Sequence, residues 1–261
     1  MAHMLRSTPP RFFVDPSCIS ADAVILTGDV LRHALTQRLR PNEIFHAIPE
    51  VFYGEYAASS PIEVCVVRVI SVSKEELVGE IIERYQVVSP PYAVHLYPGV
   101  LKGEKFDLVV EKSVELGCAS ITPVLMARCI PRLDEDKKSK RTHRWGKIAR
   151  SAAEQSGRSV IPRINDIASF GDVISDTLPG KPLMALERRH MCVSISEAVG
   201  RAREVSIVIG PEGGFEAQEV ELALSKGFSP VSLGPYVLRA ETASLAACAI
   251  LMELMSKDDI S

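Results

Sequence analysis

The chain has 261 residues, 46% of them hydrophobic and 24% charged, and a formal net charge of −3. That length supports a sizeable core in one large or two modest domains, and the balance is ordinary for a soluble globular protein. No apolar run reaches the length of a membrane span, the start "MAHMLRSTPPRFF" lacks the apolar stretch of a signal peptide, and the net charge excludes a protein coated in positive charge.

Residues 1–88 read as β-rich. "DVLRHALTQRLRPNE" (29–43) is the one expected helix there, ended near Pro41. "IEVCVVRVISV" (62–72) and "LVGEIIERYQVV" (77–88) are β-branched and apolar, with the polar turn "SKEE" between them, and predict a hairpin. "SPP" (89–91) interrupts any regular element and marks a domain junction.

After Pro91 strands and helices alternate. "YAVHLYP" (92–98) predicts a buried strand. "EKFDLVVEKSVELG" (104–117) puts Phe106, Val109, Val110 and Val114 on one helical face, stopped by Gly117. "ASITPVLM" predicts a strand, "SKRTHRWGKIARSAAEQSG" (139–157) a helix, and "PLMAL" (182–186) and "VSIVIG" (205–210) two further strands. "EAQEVELALSKG" (216–227) predicts a helix, "PVSLG" (230–234) a short strand and "AETASLAACAILMELM" (240–255) a long apolar helix. The alternation implies parallel pairing in an α/β layered domain, with the ligand beyond the carboxyl ends of the strands.

Two strand-end loops stand out. In "VSIVIGPEGGFEAQEV" (205–220) a buried strand runs into Gly210, Pro211, Glu212, Gly213 and Gly214 before a helix opens. Gly213 and Gly214 lack a Cβ, so the backbone can take positive φ and approach a ligand. Glu212, Glu216 and Glu219 make that helix start acidic, which disfavours a phosphate cradle; no Walker or dinucleotide fingerprint is present. A neutral or cationic ligand fits, and a plain strand–helix turn stays open as the alternative. "LGPYVLRAETA" (233–243) ends the next strand and offers a cation, a carboxylate and a hydroxyl in Arg239, Glu241 and Thr242; a capping role for Glu241 or Thr242 stays open beside a chemical one.

The stretch 128–150 holds nine Lys/Arg against three Asp/Glu, so it carries +6 while the rest of the chain carries −9. Such asymmetry points to a polyanion or to a solvated helix face. The scattered cysteines Cys18, Cys65, Cys118, Cys129, Cys192 and Cys248 form no CxxC pair, so neither a disulfide framework nor a zinc knuckle is expected and a reducing cytoplasm is the simplest setting. Trp145, the only tryptophan, reads as core or interface rather than as a base-stacking platform.

"GEKFDLVVEKSVELG", "ARC", "RWGKIARSAAEQSGR", "IGPEGGF" and "LGPYVLRAETA" stand in the order and spacing of the ribosomal RNA small-subunit methyltransferase E family, which the chain resembles from "RFFV" (11–14) onward. The resemblance implies an α/β SPOUT-type parallel sheet with a C-terminal trefoil knot, over residues 89–261 with the knot in about 182–255, and an N-terminal PUA-like β-barrel for RNA over 1–88. Chain-pattern rules alone would lead to an unknotted doubly wound sheet. It also implies a homodimer that transfers a methyl group from S-adenosylmethionine to N3 of one uridine, position 1498 of 16S ribosomal RNA in the small subunit, with no metal and no membrane. The cofactor would be held by Leu186, Glu187, Ile209, Gly210, Glu212, Gly213, Gly214, Leu233, Gly234, Val237 and Leu238.

The chemistry assigns the remaining roles. N3 of neutral uridine bears hydrogen, so a base or a stabilising cation must help it attack. Glu241 is the candidate base, Arg239 the candidate charge stabiliser, and Thr242 completes the catalytic group. Lys137, Lys138, Lys140, Arg141, Arg144, Arg150 and Arg158, with Lys147, are candidate phosphate contacts, extended by Arg11, Arg32, Arg38 and Arg40. Tyr236 stands where the family usually has Arg, Ala127 where it has an acid, and Glu216 where it has a Ser or Thr cap. Two rival readings are a SPOUT methyltransferase acting on another RNA site and a non-catalytic RNA-binding module. The intact "GPEGG" and "LRAETA" argue against the second.

Overall fold

The structure, a computed structural model, describes residues 9–55, 60–130, 133–187 and 191–257; Arg132 of the basic stretch lies outside them. The chain divides into two compact units, Met1–Pro90 with Ala153–Ile161, and Pro91–Ala152 with Pro162–Ser261.

In the first unit the β-branched runs form strands as their pattern demands. β1 (Arg11–Val14), β2 (Ala23–Leu26), β3 (Ile44–Pro49), β4 (Ile62–Val72) and β5 (Leu77–Val87) make one sheet in the order β1-β3-β4-β5-β2. β4 and β5 are the expected hairpin, antiparallel from Ile62↔Val87 to Val72↔Leu77. Register shifts at Val66/Val67 and Val69/Ser71 bend it. The helix α1 (Gly28–Thr36) ends earlier than the expected Pro41. Arg38 at φ +55° and Asn42 at φ +73° turn the chain left-handed, which breaks the helical hydrogen-bond ladder before β3.

The β-barrel expected here is not closed. β1 pairs only with β3, and β2 pairs with β5, so among the described residues no ladder joins the two ends of the sheet. The physical reason is α1: its Leu31 and Ala34 pack with Phe12 and Val14 of β1 and with Val24 and Leu26 of β2, so a helix seals the core where a ladder would have. The edge of β1 is served by a side chain: buried Glu154 accepts the Phe13 N–H at 3.0 Å and lies 3.2 Å from His33 Nδ1.

The second unit is α/β. It contains β6 (Ala93–Pro98), α2 (Lys105–Glu115), β7 (Ser120–Ile121), β8 (Val124–Leu125), α3 (Glu135–Ser156, its last turn in the first unit), β9 (Arg163–Ile164), β10 (Ala168–Ser169) and α4 (Phe170–Ser175). It continues with β11 (Lys181–Ala185), β12 (Val193–Ser194), α5 (Ile195–Val199), β13 (Glu204–Ile209), α6 (Ala217–Ser225), β14 (Ser229–Ser232) and α7 (Ala240–Ser256). Seven strands pair parallel throughout in the order β12-β14-β11-β13-β6-β7-β9. Every residue of β6 is buried, as a strand covered on both faces requires. α2 and α7 pack together, α7 against β6 and β13, while Phe170, Val173 and Ala223 of α4 and α6 share a second cluster with Met184 and Val208.

"ASITPVLM" is two strands rather than one. Pro123 cannot donate to a ladder; the chain leaves the large sheet after Ile121, and β8 pairs with β10 in a separate two-stranded sheet.

Candidate active site

β14, β11 and β13 are neighbours in the sheet and all parallel, so their carboxyl ends release three loops on one side: Leu186–Glu187 after β11, the glycine loop after β13, and Leu233–Arg239 after β14. They enclose a cavity of about 620 Å³, and all eleven residues expected to hold a cofactor line it. That volume suits one small molecule.

Gly214 takes φ +67° and donates its N–H to Pro211 O at 2.9 Å, closing a tight turn. Gly213 is needed for a different reason than positive φ: a Cβ there would stand 2.9 Å from Arg128 Cβ. Arg128 in turn donates from Nη1 to Gly213 O at 3.0 Å. Glu216 stands at the N-cap of α6, and Glu219, buried, reaches back and accepts the Glu216 N–H at 2.9 Å.

Charge on the cavity wall is balanced. Lys105, Arg128 and Arg239 face Glu187, Glu212 and Glu221. A polyphosphate would call for a cationic excess; an even balance of charges with apolar and backbone surface suits a ligand of low net charge. Tyr236 and Val237 stand at the rim, 82% and 71% exposed.

The three expected catalytic residues separate. Arg239 occupies the N-cap position of α7 and lines the cavity. Glu241 sits in the first turn of α7 with its side chain 13% exposed and is not part of the lining; its Oε1 lies 3.7 Å from Lys105 Nζ, and its Oε2 is buried with no hydrogen-bond partner among the described residues. Thr242 is exposed and off the wall. Neither Glu241 nor Thr242 is the cap.

The profile of the family described as RNA methyltransferase domain matches residues 88–252. A ribosomal RNA small subunit methyltransferase E of Aquifex aeolicus is 30% identical over 88% of this chain and 93% of its own length. The chain belongs to the ribosomal RNA small subunit methyltransferase E family. A Bacillus subtilis member is 35% identical over 164 residues, which span 60% of this chain and 64% of that relative. The crystal structure of the Neisseria gonorrhoeae member bound to S-adenosyl methionine superposes with a TM-score of 0.81 at 29% identity, covering 95% of this chain and 98% of that one.

Set in that family, two cavity residues lie outside the roles read from sequence. Lys105 opens α2, where the helix dipole disfavours a cation, and that misplacement is the signal that could have singled it out. Arg128 stands in the "ARC" segment quoted for the resemblance, but nothing local shows that it folds over Gly213.

The expected RNA contacts fall on both units. Arg11, Arg32, Arg38, Arg40 and Arg158 belong to the first, and Lys137, Lys138, Lys140, Arg141, Arg144 and Arg150 to the second. Several spend their charge locally. Arg32 pairs with Asp29, Lys137 with Asp134, Lys138 with Glu135, and Arg144 with Asp107. Lys140, Arg141 and Lys147 make no ion pair among the described residues. Trp145 is core, 2% exposed, its Nε1–H donating to Asp107 Oδ1 at 3.0 Å and its ring 4.3 Å from that of Phe106. Among the described residues no helix is long and apolar enough to cross a membrane.

Proposed function

We propose that this chain transfers a methyl group from S-adenosylmethionine to N3 of uridine 1498 of 16S ribosomal RNA. The observation that carries the reading is the cavity: three loops from adjacent parallel strands converge on it, in a chain that superposes over nearly its whole length on a relative bound to that cofactor. The cofactor fits the residues present. Gly213 and Gly214 shape a loop whose backbone comes to the cavity without Cβ atoms, and the balanced lining does not repel a sulfonium cation.

S-adenosylmethionine supplies an already activated methyl group. The protein's share is to place N3 in line with it and to take one proton. In this reading Arg239, on the wall, stabilises charge spreading onto the uracil oxygens, and Glu241, two residues further, accepts the N3 proton. Positioned base catalysis contributes about 10²–10⁴-fold. Lys140, Arg141 and Lys147, with the arginines of the first unit, hold RNA phosphates. The first unit serves as a PUA-like RNA-binding domain, the second as a knotted SPOUT domain, and the enzyme works as a cytoplasmic homodimer.

Incubation with undermethylated small subunits and S-adenosylmethionine, followed by mass-spectrometric mapping, tests this. One methyl group at N3 of uridine 1498 is expected. Methylation of another nucleotide would assign a different target, and neither cofactor binding nor product would leave an RNA-binding module.

A further inference from the structure

Lys105 Nζ lies between two carboxylates of different loops, 3.6 Å from Glu212 Oε1 and 3.7 Å from Glu241 Oε1. Glu212 belongs to the glycine loop after β13, and its Oε1 also accepts the Lys102 N–H at 3.2 Å. Glu241 opens α7 after the third loop. One cation therefore ties Glu212 on the cavity wall to Glu241, which stands off the wall, and itself lines the cavity. The geometry divides the labour of the Glu241 carboxylate. Oε1 faces the ammonium, while Oε2 is buried with no donor among the described residues. A buried acceptor without a partner is costly, so its placement calls for a donor that arrives later.

We infer that Lys105 is a positioning residue for methyl transfer: it holds Glu241 through one oxygen, tied to the glycine loop by Glu212, and leaves the other oxygen for the proton of the target base. The inference rests on the reading of Glu241 as proton acceptor. Without the cation, two carboxylates would face each other across the cavity edge and swing apart.

The test uses Lys105→Met, Lys105→Arg, Glu241→Gln and the double variant Lys105→Met/Glu241→Gln. Three quantities are measured on each: the single-turnover methylation rate on undermethylated small subunits, S-adenosylmethionine affinity by calorimetry, and the melting temperature of the cofactor-free protein. Lys105→Met is expected to slow turnover by about 10²-fold, the effect of a misplaced catalytic group. Cofactor affinity and melting temperature should fall far less than the rate, and Lys105→Arg should restore most of the rate. In the Glu241→Gln background, Lys105→Met should change the rate by no more than about twofold, because residues acting as a unit are not additive. Additive losses, an unchanged Lys105→Met rate, or a loss carried by cofactor affinity or melting temperature would overturn the inference while the Glu241 reading stood. A wild-type rate in Glu241→Gln would instead overturn that reading, and the inference with it.

Discussion

Glu219 accepts the Ala127 N–H through Oε1 at 2.9 Å, joining α6 to a loop 92 residues earlier in the chain, while its Oε2 takes the Glu216 N–H. Ala127 precedes Arg128, whose guanidinium holds Gly213 O. One buried carboxylate thus braces the glycine loop from both sides. Glu219→Ala would remove two hydrogen bonds to a charged acceptor; Ala127 is exposed and Glu216 half-buried, so water replaces part of each and the loss is about 1–2 kcal/mol in all, and each kcal/mol lowers the melting temperature by about 2–4 °C in a chain of this size. Thermal melts of Glu219→Ala and Glu219→Gln check this: a clear drop is expected in the first, a smaller one in the second. An Ala variant melting with the wild type would remove the brace.

Gly213→Val should abolish S-adenosylmethionine binding while the fold survives. Its Cβ would meet Arg128 close to the backbone, at 2.9 Å, where the side chain cannot swing clear, so the loop must shift. Calorimetry and a melting curve decide. Undiminished affinity would separate the loop from the cofactor site.

Arg239→Ala should lose turnover far more than cofactor affinity, because a charge stabiliser acts on the transition state. The loss should be on the order of 10²–10³-fold if the arginine acts like a preorganised donor at developing charge. A near-normal rate per folded molecule, with a lowered melting point, would make Arg239 structural.

Charge reversal of Lys140, Arg141 and Lys147 should weaken RNA binding and flatten its salt dependence by roughly one logarithmic unit of slope per lost phosphate contact. Reversal of Lys137 and Lys138 should do less, since Asp134 and Glu135 already pair with them. Equal slopes for both variants and the wild type would leave α3 as a solvated surface.

His95 gives the stability a pH dependence. Burial lowers its pKa below 6.5, only partly opposed by Glu204, and Nδ1 lies 2.7 Å from Ser120 Oγ. As pH falls below about 6.5 the unfolded chain takes up the proton first, so stability held above that pH declines as pH drops through the folded value. His46, also lowered by burial, acts in the same direction. Melting temperatures between pH 8 and pH 5 should fall, and less steeply in His95→Gln; identical slopes would clear His95 of any part.

The elements legible in the sequence were those long enough to show a period. β6 and β13 read as unbroken apolar runs because parallel strands are covered on both faces, and α2 and α7 show an apolar stripe. β9, β10 and β12 have two residues each, too few for any pattern, and β7 and β8, equally short, were legible only as the single run "ASITPVLM". α4 and α5 left a signal that went unread: "SFGD" and "SISE" are serine caps, Ser169 and Ser194 each accepting the N–H three residues on at 3.1 Å. The cofactor loops were legible because glycines at strand ends have few other uses. Lys105 was hidden because its two carboxylates lie far along the chain, and the open end of the first sheet was hidden because closure depends on how α1 packs.

The place of β13 sets the timing of birth for this protein. It lies between β6 and β11, and β6 meets its partner only when Glu204–Ile209 has been made. At about 5–20 residues per second, translation leaves that side of β6 bare for roughly 5–20 s. An unpaired apolar strand edge is a template for other chains. The nascent polypeptide therefore passes through a window in which a holding chaperone, or slow concentration-limited synthesis, governs yield. Rare codons placed between β6 and β13 would lengthen that exposure, and the same codons placed after β14 would not.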